Sequence, residues 1–194
     1  MKYRYGKPMP DRLHTLEEPG RPLAFDADRG LVGDLAQRCN LKSLAADLRG
    51  KGQEEMAEAL RGFGQALMEA TIELADGKYR DRAGEIIERV AAETGISFPH
   101  HFQRYVELSI IGCRPLDRWN VARSTTKELV LQVFSCSVLR EAKEAGLDPD
   151  RVPCPALCLA SFQAAARQTG DQVEIDIARL PPQDGVCQFS FVRV

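Results

Sequence analysis

The sequence predicts an α+β fold in which an N-terminal helical half packs on a small C-terminal antiparallel sheet with two helices. Apolar residues recur at three-four spacing through the first half. They switch to alternation in the closing segment, and Gly and Pro punctuate the change. Helices first and strands later is the order that separates α+β from α/β.

Residues 1–30, with Pro8, Pro10, Pro19, Gly20 and Pro22 among charges, carry no sustained period and read as an irregular arm. Residues 31–194 then read as one domain, mainly helical over 31–113, with a cysteine-containing sheet-and-helix core over 120–194. Val32, Leu35 and Cys39 form one helical stripe, and Leu41, Leu44, Ala45 and Leu48 a second, stopped by Gly50 and Gly52. Met56, Leu60, Phe63, Leu67, Ala70 and Leu74 predict the longest helix, with glutamates opposite. Ala83 to Val90 predicts another, closed by Gly95. Pro99 suits the first turn of the next, whose stripe runs Phe102, Val106, Ile110 and Cys113.

Beyond Pro115 the period changes. Glu128 to Phe134 is a dense apolar run of strand length leading to Cys136, and Val138 to Ala145 reads as a short helix before Gly146. Cys154 to Gln168 predicts a helix with Pro155 in its first position and Gly170 just past its end. Val173, Ile175 and Ile177 alternate with polar residues, Pro181-Pro182-Gln183-Asp184-Gly185 turns, and Cys187, Phe189 and Phe191 alternate back. That pattern is a hairpin.

Composition excludes whole classes of function. At 194 residues, 44% apolar, the chain can bury a core. Its 26 Lys and Arg are dispersed among 28 Asp and Glu, net −2, which argues against a nucleic-acid partner. No apolar run approaches the roughly 20 residues that span a bilayer, and no secretory leader opens the chain, so a cytoplasmic protein is expected. There, clustered cysteines mark metal binding or catalysis more often than disulfides.

The six cysteines are therefore the main clue to chemistry. Cys39 and Cys113 lie on apolar stripes and read as small core hydrophobes. Cys154 and Cys158 are four apart, which on a helix brings Cβ atoms to roughly 5–6 Å. With Cys136 and Cys187 they make four thiols, enough for tetrahedral zinc or an iron-sulfur cluster. Burial as small hydrophobes accounts for the same four. A nucleophile reading uses Cys154 instead, because a helix N-terminus lowers a thiol pKa, with His100 or His101 as base. The loop residues Arg114, Asp117, Arg118 and Trp119 add a cofactor or anion pocket, in which Trp119 and Arg118 would contact a planar ligand; Trp119 anchoring the loop to the core is the simpler alternative.

Phe134-Ser135-Cys136, Cys154-Pro155-Ala156-Leu157-Cys158 and Gly185-Val186-Cys187-Gln188-Phe189 together resemble the L-2-amino-thiazoline-4-carboxylic acid hydrolase-like proteins, and more distantly the 4-vinyl reductase domains. The resemblance covers about the last 70 residues. It implies an α+β core with metal-binding cysteines near the C-terminus. Ser161 stands where the hydrolase-like proteins often carry an acidic residue, so the resemblance implies a shared fold more than shared hydrolysis.

The leading expectation is a metal- or iron-sulfur-binding protein, with Cys136, Cys154, Cys158 and Cys187 as ligands beside a pocket for a small organic ligand. The alternatives are a cysteine-dependent hydrolase of a small C–N bonded substrate and a metal-free sensor of apolar ligands. A homodimer through the long helix is expected as well.

Overall fold

A computed structural model describes residues 28–180 and 185–194. Most of the 1–30 arm and the Pro181-Pro182-Gln183-Asp184 turn lie outside the described residues. Five helices come first: α1 (Arg29–Arg38), α2 (Leu41–Asp47), α3 (Gln53–Asp76), α4 (Arg82–Thr94) and α5 (His100–Cys113). Then follow β1 (Trp119–Ser124), β2 (Glu128–Val133), α6 (Ser137–Glu144), a 3-10 turn at Pro149–Arg151, α7 (Pro155–Thr169), β3 (Val173–Arg179) and β4 (Cys187–Arg193). The architecture is α+β.

Helix ends follow local chemistry. The Asp28, Asn40 and Asp81 side chains accept from the backbone N–H of Gly30, Ser43 and Gly84, respectively, satisfying donors that have no partner inside the helix. At α3, Glu55 reaches back to the N–H of Gly52 at 2.8 Å. Gly95 (φ 71°) and Gly170 (φ 69°) close α4 and α7 in the left-handed conformation, which costs a side-chain-bearing residue more than glycine.

The sheet order is β1-β2-β4-β3, every pair antiparallel. Leu131 faces Phe189 and Val133 faces Cys187, so the odd-numbered residues of both strands share the inner face. Phe162 of α7 meets Phe189 and Phe191 edge-on at 5.0 Å, and Phe102 of α5 meets Phe191 at 4.9 Å. These rings join helices to sheet. Replacing Phe162 with Ala is expected to cost about 3–5 kcal/mol in chemical denaturation, because a fully packed aromatic leaves a cavity.

Three features depart from the sequence reading. The stripe of α5 predicts one buried face, yet every residue from Phe102 to Cys113 is buried. Its polar members find internal partners, though Arg104 Nε has none among the described residues: Arg104 reaches Asp76 at 3.3 Å and Asp81 at 3.2 Å, Gln103 donates to Glu107 at 2.7 Å, and Ser124 donates to Gln103 at 2.9 Å. The strand β1 is not signalled in the sequence, since a register shift between Val121 and Arg123 breaks its alternation. Finally, the apolar stripe of α3 is used within the chain. It packs on α7 so closely that a Cβ on Gly64 would lie 2.1 Å from the carbonyl oxygen of Leu157. That stripe is therefore occupied within the chain.

Candidate thiol site

The four C-terminal cysteines line one small chamber with Arg114, Val138, Pro155, Leu180 and Phe189. They come from three places in the fold. Cys136 precedes α6, Cys154 and Cys158 occupy the first turns of α7, and Cys187 opens β4 on the inner sheet face. The chamber offers about 10 Å³ to the centre of a water-sized molecule, close to the least that holds one water.

At its wall is the guanidinium of Arg114, the residue that ends α5. Its Nη1 donates to Cys158 Sγ and its Nη2 to Cys136 Sγ, both at 3.4 Å. Its Nε donates to Asp117 Oδ2 at 2.6 Å, and both side chains are buried. Burial by itself would discharge Arg114, but the Asp117 carboxylate and the two sulfurs hold its proton well above the ordinary range. Asp117 also accepts from the Ser137 backbone N–H at 2.5 Å and the Ser137 hydroxyl at 2.6 Å. It thus supplies the cap that Cys136 does not give α6, and it fixes Cys136 against the guanidinium.

The thiols feel burial strongly. Cys154 is the N-cap of α7, where the sequence predicts a depressed value, yet burial, then the neighbouring cysteines, push its thiol far up. Desolvation outweighs the helix terminus. Cys158 is pushed up by burial against the opposing pull of Arg114, and Cys187 is pushed up to about 12, chiefly by burial. Sequence could not weigh these effects, because they depend on enclosure.

A pH dependence of stability follows from Cys187. Its folded value lies above the ordinary 9.0, so the neutral thiol is the form the fold prefers. The stabilisation is whole below pH 9.0 and is lost as pH rises through the folded value of about 12, since the unfolded chain releases its proton first. Replacing Cys187 with Ala is expected to flatten that part of a denaturation-versus-pH profile; an unchanged slope would contradict it.

The remaining candidates are scattered. His100 and His101 open α5, and neither lines the thiol chamber. His101 stacks on Tyr105 with centroids 6.4 Å apart, and burial lowers its pKa. Trp119 is buried in the core as an anchor, whereas Arg118 is exposed. The members of that loop that reach the site are Arg114 and Asp117. Their spacing of three was the available signal, though it is common on any charged turn.

No family model matches the sequence, and no curated protein matches it. Solved structures resembling the chain are H-NOX domains. One is an H-NOX protein from S. oneidensis in the Fe(II)NO ligation state, 13% identical, with 95% of this chain and 87% of that chain covered and a TM-score of 0.40. Another is an unliganded Fe(II) H-NOX mutant from K. algicida, 11% identical, 95% and 94% covered, TM-score 0.40. A third is an oxygen-binding H-NOX domain related to soluble guanylate cyclases, 12% identical, 94% and 82% covered, TM-score 0.36. Likeness at that level carries no argument about what this chain does.

The comparisons correct the family expected from the closing motifs: they return neither thiazoline hydrolase-like proteins nor vinyl reductase domains. The expected functions that went with that family, namely metal or iron-sulfur binding, C–N hydrolysis and metal-free apolar sensing, are corrected with it: no family model and no curated protein matches, and the similar solved structures are H-NOX domains instead. The iron-sulfur or zinc cofactor falls on the chain's own geometry as well. Among the described residues no three His, Cys, Asp or Glu side chains converge as a metal site, and a guanidinium already contacts two of the four sulfurs.

Haem, whose distortion in the H-NOX family a further similar structure was solved to probe, does not fit the thiol chamber. The thiol chamber is far too small for a macrocycle, and the rings of Phe102, Phe162, Phe189 and Phe191 fill the space between helices and sheet. Among the described residues no helix is long and apolar enough to cross a membrane.

Proposed function

We propose that this chain is a redox-responsive thiol protein, in which Cys136, Cys154, Cys158 and Cys187 form a reversible dithiol–disulfide site around Arg114. The observation that carries the reading is the single buried guanidinium shared by the sulfurs of Cys136 and Cys158. A fixed cation stabilises the negative charge that develops on sulfur during thiol oxidation and exchange. Asp117 holds that cation in place without competing for the sulfurs, because its carboxylate faces Nε and Ser137.

This reading places residues 31–194 in one functional domain and the protein in the cytoplasm, where its six free cysteines stay reduced until challenged. Balanced, dispersed charge gives it no nucleic-acid partner. A homodimer would use a face other than the α3 stripe, such as the side of α4 that exposes Ile86 and Val90.

The test is graded oxidation with hydrogen peroxide, then differential alkylation and peptide mass spectrometry before and after dithiothreitol. Two of the four chamber thiols are expected to be lost together and recovered on reduction. Cys39 and Cys113, buried apart from them, should stay reduced. Full retention of all four chamber thiols, or oxidation of Cys39 and Cys113 at the same rate, would reject the proposal.

A further inference from the structure

The chamber's asymmetry distinguishes the four thiols, and from it, resting on the redox reading above, we infer that Cys136 is the thiol attacked first, that hydrogen peroxide is its substrate, and that Cys158 resolves it to a disulfide. Two sulfurs touch Arg114, those of Cys136 and Cys158. Of these Cys136 is half-buried and Cys158 is 8% exposed. An oxidant from solvent therefore meets Cys136 first. Cys154 is also half-buried, but no hydrogen bond links it to the guanidinium.

Size selects the oxidant. About 10 Å³ of free space beside the sulfurs is close to the least that holds one water, so a branched or aromatic hydroperoxide cannot enter the chamber, whereas hydrogen peroxide is small enough to approach the half-buried Cys136. In the first step the Cys136 sulfur attacks one peroxide oxygen and the O–O bond breaks. The departing hydroxide takes the proton released by the thiol and leaves as water, with Cys136 as sulfenic acid. In the second step the Cys158 sulfur attacks Cys136 Sγ and the S–O bond breaks; the hydroxide leaves with the Cys158 proton as a second water. Two thiols are oxidised to one disulfide while one peroxide is reduced to two waters. Arg114, bonded to both sulfurs throughout, is the positioning residue.

The experiment follows the full chain with hydrogen peroxide by stopped-flow and by peptide mapping. A Cys136–Cys158 linked peptide is expected from the unaltered protein, with one peroxide consumed per disulfide. Cys158→Ser should accumulate a sulfenic acid at Cys136 that dimedone traps, and Cys136→Ser should lose the fast phase. Cumene hydroperoxide should react more slowly by at least an order of magnitude. A Cys154–Cys187 linkage formed at the unaltered rate in Cys136→Ser would overturn the assignment while leaving the redox site standing. Equal rates for the two peroxides would overturn the size selection. Inert thiols in every protein would reject the site itself. Should Cys158→Ser fail to fold, the linked peptide of the unaltered protein decides alone.

Discussion

Replacing Arg114 with Leu is expected to destabilise the protein by about 3–5 kcal/mol, the usual cost of removing one member of a buried ion pair. The guanidinium and the Asp117 carboxylate are 5% and 0% exposed, and they meet at 2.6 Å. Without Arg114, the buried Asp117 side chain keeps only the two bonds from Ser137 and loses its ion-pair partner. The double replacement Arg114→Leu with Asp117→Leu should recover part of the loss by removing both charges, although Ser137 is then left uncapped. Arg114→Lys should not restore the site, because one ammonium cannot present three directed donors to Asp117, Cys136 and Cys158. Urea denaturation measures all three. A loss below about 0.5 kcal/mol for Arg114→Leu, the range of ordinary surface changes, would show that the pair is dispensable.

The second large effect comes from glycine on α3. Gly64→Ala is expected to cost more than the ~1–3 kcal/mol typical of overpacking, because the new Cβ would meet the Leu157 carbonyl oxygen at 2.1 Å and its carbon at 2.9 Å. Backbone cannot rotate aside as a side chain can, so α3 and α7 must part. That displacement would reach Cys158, the next residue, so thiol reactivity should change together with stability. Gly62 is the internal control. It lies on the same helix, exposed, and its added Cβ meets nothing within 4 Å. Gly62→Ala should stabilise by about 0.5–1 kcal/mol through helix propensity alone. Opposite signs from positions two apart would establish the close helix contact, and equal effects would refute it.

Much of the fold was legible because its signals are short-range. The stripe from Met56 to Leu74 lies within α3, Pro155 and Gly170 bracket α7, and the alternation at Val173–Ile177 and Cys187–Phe191 gives the antiparallel pair β3 and β4. In each case the period or cap that forms the element is carried by residues close in sequence. What escaped depended on enclosure. No local pattern shows that α5 is surrounded on all sides, and β1 was hidden by its irregular register.

The candidate site divides the same way. By itself the sequence determined which side chains could do chemistry, four cysteines beyond residue 130 and a charged loop at 114–119, and it placed Cys154 at a helix start. Only the tertiary structure decided that Arg114, 44 residues from Cys158 and 22 from Cys136, reaches both sulfurs. It alone decided that Asp117 holds the guanidinium there and that burial raises the Cys154 thiol instead of lowering it. The reason is physical: a cap or a stripe is a property of neighbours along the chain, whereas desolvation and ion pairing are set by whatever the fold closes around a group.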